Sequence, residues 1–284
     1  MMIFLARMCF KFFPLTIAIT LISAYVIYRL VFKKRASKTP KILKKDFEKD
    51  KVYLYEFPRL KTCRNLSPFC IKLETFLRIH NIPHEIVYTF TKRSRNGTLP
   101  FIELNGEHIV DSDFIEIQLK KHFKIPELSK EQETQSVLIS RFADNHLFYV
   151  LLRYKGAAPE FFSTILTLAP IPGFLLPVFH FILSRFMGSR IQKRVGLGIG
   201  NFNDQEHEII FHRDLKTIEN LLNNGKFIFG DQMSSADATV FGQLSSVYHP
   251  FDSYIRQTID KEYPRLKQYL EDVIEEVYPN DFVM

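Results

Sequence analysis

Two hundred and eighty-four residues, 46% of them hydrophobic and 24% charged, make an ordinary globular composition and exclude a disordered chain. A net charge of +7 suits a nucleic-acid binder, but its location does not. Residues 1–45 hold ten basic side chains and no acidic one, so this stretch alone outweighs the net charge and the remainder is mildly acidic. Nucleic acid is therefore not an expected partner. Three cysteines, Cys9, Cys63 and Cys70, are too few for a disulfide scaffold and fit a reducing compartment.

From Phe12 to Tyr28 the chain carries no charge, and Leu30, Val31 and Phe32 extend the run beyond Arg29, whose long stem can snorkel. That is long enough to span a bilayer. The run ends in bulky residues followed by KKRASK, without a small-residue cleavage site, which predicts an uncleaved anchor over residues 1–45. Arg7 and Lys11 precede it and eight basic residues follow it through Lys45. The positive-inside rule then predicts a single-pass membrane protein with its globular part in the cytosol. In such a domain the sequons Asn65-Leu66-Ser67 and Asn96-Gly97-Thr98 are chance matches.

Val52–Phe57 reads as a buried strand. Ser67-Pro68 opens a helix, with Ser at the N-cap and Pro at the first helical position. Phe69, Leu73, Phe76 and Leu77 give that helix one apolar face, and Asn81 and Pro83 stop it. Ile86, Tyr88 and Phe90 alternate as a second strand. Phe101–Leu104, the turn Asn105-Gly106 and Ile109–Val110 read as a hairpin, after which Asp111-Ser112 caps a helix containing Phe114, Ile115 and Leu119. Strand ends and helix N-termini, where α/β sheets collect ligands, coincide at Ser67, Pro100 and Asp111-Ser112.

The motifs SPFCIKLETFLRIHNIPHE, TLPFIELNGEHIVDSDFIEIQL and GDQMSSADATVFGQL, in this order, resemble glutathione transferases. Residues 51–123 look like the thioredoxin-like half shared with glutaredoxins. The leader-plus-domain arrangement is similar to the failed-axon-connections and metaxin-like group, which includes nematode cadmium-responsive proteins. The resemblance implies a thioredoxin-like α/β domain over 46–124 and an all-α domain over 129–284. It also implies glutathione as a ligand, a stress or cadmium response, and a lysosomal or other organelle membrane. Leu99-Pro100 matches the cis-proline that offers its backbone to the cysteinyl part of glutathione, and Asp111-Ser112 matches the pair that holds the γ-glutamyl group. Ser67 matches the residue that activates the glutathione thiol. It stands where redox relatives carry Cys, so Ser67-Pro68-Phe69-Cys70 cannot run a two-cysteine cycle. The loop Thr91–Leu99, with Lys92, Arg93 and Arg95, replaces a helix that the family normally has there.

Each assignment has a structural alternative. Ser67 and Asp111-Ser112 serve equally as helix caps, and Cys70 as a core thiol; Cys63, beside Lys61 and Arg64, is the expected exposed and activated thiol. His80 and His84 lie near these cysteines in sequence, but Pro83 breaks the register between them and no metal site is expected.

The second half reads as helices. Residues 130–153 are amphipathic, with Leu138, Phe142, Tyr149 and Leu152 on one side, and Tyr263–Val277 closes the chain with another amphipathic helix. Ser234-x-x-Asp237 is a capping box and a folding determinant. Gly196-x-Gly198-x-Gly200 reads as an interhelix loop. Phe161–Leu183 lacks any Lys, Arg, Asp or Glu, while Pro170, Pro172 and Pro177 break it into two pieces. Burial in the helical half is expected for it, with contact to a membrane or partner, or a true second span, as the alternatives. Two functions stand: a membrane-anchored glutathione-transferase-like enzyme acting on a hydrophobic electrophile, or a non-enzymatic scaffold for a second copy or another protein.

Overall fold

The computed structural model describes residues 42–168, 173–222 and 225–283; the predicted anchor lies outside them. The aromatic run Val52–Glu56 forms β1, buried along its whole length. It pairs in parallel with β2 (His84–Tyr88) and antiparallel with β3 (Phe101–Leu104), which pairs antiparallel with β4 (Glu107–Val110). The sheet order is therefore β2-β1-β3-β4. Asn105 and Gly106, with φ of 50° and 79°, make the tight turn between β3 and β4.

Helix α1 (Pro68–Ile79) supplies the crossover between the parallel strands, and α2 (Ser112–Phe123) follows β4. Side chains alternate through the sheet. Val52, Leu54, Ile102 and Ile109 form one core with Leu73, Phe76 and Leu77 of α1 and Ile115 and Leu119 of α2. Tyr53, Tyr55, Phe101 and Val110 form a separate cluster with Leu99. The spacing predicts one apolar face on α1, yet Ile71, Lys72, Glu74 and Thr75 are buried as well. The reason is a second partner on its other side.

That partner belongs to the helical half. Helix α3 (Lys130–Phe142) runs through a π-helical turn (Ala143–Leu147) into α4 (Phe148–Ala157), followed by α5 (Pro159–Thr167). A single 3-10 turn (Gly173–Leu175) enters α6 (Leu176–Ile199), and α7 (Asp204–Leu221), α8 (Ser235–Tyr248), α9 (Tyr254–Glu262) and α10 (Pro264–Val277) complete the chain. Every residue of α8 is buried. A Cβ added at its Gly242 would stand 2.6 Å from the Pro68 carbonyl oxygen and 2.9 Å from the Lys72 nitrogen, so α8 touches the backbone of α1 at its first turns. The capping box forms as expected: Ser234 N and Oγ both donate to Asp237 Oδ2 at 2.8 Å.

Three expectations change. The predicted 130–153 helix turns the neighbouring face inward: Leu138 is 64% exposed, while Ile139, Ala143, Leu147 and Val150 are buried. Gly196 and Gly198 lie inside α6, and only Gly200 is beyond its end. Burial of Phe161–Leu183 holds for Phe161, Phe162 and Leu166 on α5, but Phe174, Val178, Phe181 and Ile182 are exposed.

Buried charges tie the two halves together. Lys72 Nζ donates to Asp113 Oδ1 at 2.9 Å and to Asp144 Oδ2 at 2.6 Å, while Gln243 Nε2 donates to Asp144 Oδ1 at 2.9 Å. Burial works against the Lys72 ammonium, but Asp144, Glu116 and Asp113 outweigh it and its pKa is raised. Arg64 forms a two-pronged pair with Glu74, and Arg64, Arg78 and Arg59 all reach Asp281. Lys155 has no carboxylate partner among the described residues. Its Nζ donates to the Leu66 carbonyl at 2.5 Å and the Ser246 carbonyl at 2.9 Å, and burial pushes it down to about 7.

Gly242→Ala is expected to force α8 away from α1 and destabilise the fold by about 1–3 kcal/mol, the usual cost of overpacking. A lowered urea midpoint at unchanged slope checks this. The Lys155 amine is neutral in the fold above about pH 7 but charged in the unfolded chain up to about pH 10.5. The unfolded state therefore binds more protons across that window, and stability rises with pH through it. In paired denaturation series the native chain gains stability relative to Lys155→Met between those limits; parallel curves would show that Lys155 keeps its ordinary pKa.

Candidate functional site

Strand register brings the expected residues to one edge of the sheet. Tyr55 pairs with Phe101, and Phe101 pairs with Val110. The carboxyl end of β1, the residue before β3 and the residue after β4 therefore stand side by side across three strands, each about 4.8 Å from the next. Those neighbouring positions are Glu56 (the last residue of β1), Pro100 and Asp111, with Phe57 one residue further on. The peptide bond between Leu99 and Pro100 is cis, and both residues are buried.

The N-terminus of α1 meets the same edge. Ser67 is its extended N-cap residue (φ −89°, ψ 121°) and is half-buried, but its side chain bonds none of the first-turn amides. The role expected of a simple cap is therefore not what its hydroxyl does; it faces the Cys70 thiol instead, which also bonds the Phe57 backbone. Burial first, and Glu56 second, push the Cys70 thiol up, so it is held protonated. Asn65 builds the turn: its Oδ1 accepts from Ser67 N at 3.0 Å and its Nδ2 donates to the Phe57 carbonyl at 2.7 Å. Fully buried and bonded at both ends, Asn65 has no room for a glycan, which agrees with a chance sequon. Lys155 fixes the next residue through the Leu66 carbonyl.

Asp111 closes the edge at the head of α2. Its Oδ1 accepts from Asp113 N at 3.2 Å, and its backbone is held at φ 74°, where a residue other than glycine is strained. The Asp111 carboxylate is exposed, and Ser112 beside it is half-buried. Strain of this kind persists only where surrounding structure over-determines it and often accompanies ligand clamps. From the other flank, the Arg93 guanidinium lies 4.8 Å from the Phe57 ring and Lys92 Nζ 5.6 Å from the Tyr55 ring. Beneath them Glu56 is fully buried with Oε2 unpartnered; burial first and Glu74 second raise its pKa.

Cys63 is corrected by the structure. It is buried, its thiol donates to the Asn65 carbonyl at 3.4 Å, and burial pushes it up to about 12. It is a core thiol, not an activated one. Among the described residues no three His, Cys, Asp or Glu side chains gather as a metal site. A cavity of about 270 Å³ opens between the α4–α5 junction and the α8–α9 connection, lined by Tyr154, Lys155, Pro159, Phe251 and Tyr254. Sequence reasoning missed Glu56, Asn65 and Lys155. For Asn65 the signal was there, since Asn two residues before a helix-opening Ser is an Asx-turn pattern. For the other two there was none.

Two family models match the chain: the glutathione S-transferase N-terminal domain over residues 68–161 and the glutathione S-transferase C-terminal domain over residues 211–273. Failed axon connections of Drosophila melanogaster is 32% identical over 218 residues, 72% of this chain and 52% of that protein, so the chain spans about half the length of this relative. An isoprene-epoxide glutathione S-transferase of Rhodococcus sp. (strain AD45) is 23% identical over 74% of this chain and 92% of its own. The glutathione S-transferase of Ceriporiopsis subvermispora, solved in complex with glutathione, superposes with a TM-score of 0.52 at 18% identity, covering 81% of this chain and 99% of that one. A sheet of order β2-β1-β3-β4 entered through a cis-proline and backed by an all-helical half is thus the glutathione S-transferase fold. The chain belongs to the glutathione S-transferase superfamily and is a relative of Failed axon connections.

Proposed function

We propose that this chain binds glutathione at the Ser67–Pro100–Asp111 edge and transfers it to a hydrophobic electrophile, while Phe12–Tyr28 holds the protein in a membrane with its folded part in the cytosol. The observation that carries the reading is the strained, exposed Asp111 on the same sheet edge as a serine whose hydroxyl does not cap its helix. The Asp111 carboxylate suits the ammonium of the γ-glutamyl group, and the amides at the start of α2 suit its carboxylate. The backbone at Leu99-Pro100 suits the cysteinyl amide. Arg93 and Lys92 supply cations for the glycine carboxylate.

At the thiol, Ser67 donates one hydrogen bond to sulfur and the N-terminus of α1 adds a positive dipole end, both of which favour the thiolate. The thiolate then attacks the electrophilic atom, a carbon–sulfur bond forms, and the leaving group or opened ring takes the electron pair and a proton from solvent. A thiol-conjugating role also fits a response to electrophiles and soft metals, both of which a thiolate captures.

One observation favours the scaffold reading: no helix forms between β2 and β3, where the chain makes only a short turn at Ser94–Thr98. Calorimetric titration of the full chain in detergent with glutathione separates the two. Binding is expected, weakened about tenfold or more in Asp111→Ala, equivalent to about 1.4 kcal/mol. Ser67→Ala is expected to leave affinity within a few-fold but to abolish the thiolate absorbance of bound glutathione. A folded chain that binds none would leave the scaffold.

A further inference from the structure

Helix α6 carries a face that the fold does not use. Its inner side is packed: Ile191 and Val195 are buried against Phe161 and Phe162 of α5, with Leu183, Met187 and Ile199 beside them. Its outer side presents Phe174, Val178, Phe181 and Ile182, spaced at i, i+4, i+7 and i+8, with Phe174 82% and Phe181 70% exposed. Together with the preceding turn, Gly173–Ile199 is long and apolar enough to cross a membrane by length and composition, and 6% of its apolar window is buried. An apolar stripe this open is rare on a soluble surface and marks a contact.

Charge on the same helix says what kind. The exposed side continues from the apolar residues into Arg185, Arg190 and Lys193, with the Arg190 guanidinium 5.0 Å from the Phe186 ring. No acidic residue occurs anywhere between Glu160 and Asp204. Apolar side chains along one helical face followed by cations, with no counter-charge in the segment, match an interfacial helix that sinks its rings among acyl chains and sets its cations among anionic headgroups. A second copy of this chain would bring the same cations against its own and is disfavoured. The four basic residues Arg185, Arg190, Lys193 and Arg194 in the second half also disfavour a spanning helix.

We infer that the outer face of α6 lies in the plane of an anionic membrane surface, as a second membrane contact independent of the predicted span and of glutathione. The folded part is then held flat against the bilayer through its helical half.

The test uses the full chain in a Cys9→Ser background, reconstituted into vesicles and labelled with an environment-sensitive fluorophore at Phe181→Cys. The buried Cys63 and Cys70 stay unlabelled. In phosphatidylcholine–phosphatidylserine vesicles the emission is expected to shift to the blue and to be quenched by shallow, headgroup-level quenchers. The shift should fall several-fold in phosphatidylcholine alone, and in the double reversal Arg185→Glu and Lys193→Glu. A salt titration of the unreversed chain reads the same attraction should that double variant misfold. A label at Ile209→Cys, exposed on α7, should not shift. Equal shifts at both positions would overturn the inference. So would a shift that depends on protein density and ignores lipid charge, which would indicate a second copy, or quenching at the bilayer centre, which would indicate a span.

Discussion

The contact on which the rest of the structure depends is the approach of α8 to the first turns of α1 at Gly242. Two helix backbones meet there with no side chain between them, since a Cβ at this position would sit 2.6 Å from the Pro68 carbonyl. Pro68 and Lys72 belong to the helix that Ser67 opens, so the wall behind the candidate site is the backbone of the helical half. This makes α1 a central helix. The sheet covers one side through Leu73, Phe76 and Leu77, and α8 covers the other through Ala236, Val240 and Leu244 with Ile71. Neither half could present Ser67 at its present position alone.

Close backbone packing leaves polar groups that must be matched, and the buried charges do this. Lys72 is drawn to Asp113 on α2 and Asp144 in the π turn, and Gln243, next to Gly242, holds the other oxygen of Asp144. The π turn thus has a use: its wider winding sets Asp144 facing Lys72 while α3 and α4 keep their own packing. Breaking a buried pair of this kind costs several kcal/mol, because the remaining charge has no water to turn to. Lys155 is the exception that sets the loop. With carbonyl and hydroxyl oxygens as its hydrogen-bond partners and no carboxylate among the described residues, it gives up its proton more easily, yet the two N–H groups of a neutral amine still suffice for the Leu66 and Ser246 carbonyls.

Much of the fold was legible because its signals are local. The Asn105-Gly106 turn, the Ser67-Pro68 helix start, the Ser234–Asp237 box and the closing helix each carry their instruction within a few residues, and each formed. Ser67, Pro100 and Asp111 could also be named, and strand register then put Pro100 and Asp111 beside the end of β1. What was not legible depends on partners distant in sequence. Cys63 looked reactive beside Lys61 and Arg64, but the helical half covers it and Arg64 turns inward to Glu74. Leu138 seemed a core residue because two adjacent faces of this stretch, one through Leu138 and Phe142 and one through Ile139 and Leu147, are both apolar, and only packing selects the second. The inner surroundings of the site, Glu56 and Lys155, had no periodicity or motif to mark them; they are charged residues at positions that only the assembled fold buries.

The surroundings of Ser67 also decide which sulfur chemistry this edge can host. Redox relatives place a thiolate at the helix mouth and a resolving thiol three residues later, and both must be accessible in turn. Here the first position is a hydroxyl, and the second, Cys70, is sealed in the core, where burial first and Glu56 second push its thiol up. The other described cysteine, Cys63, is equally enclosed. Neither protein sulfur reaches the thiolate form in which exchange or conjugation proceeds. Under the proposed glutathione role, the nucleophilic sulfur therefore comes with the ligand and from neither Cys63 nor Cys70. Ser67 then has no disulfide partner at Cys70 to cycle with, and its hydroxyl is left to act on the ligand.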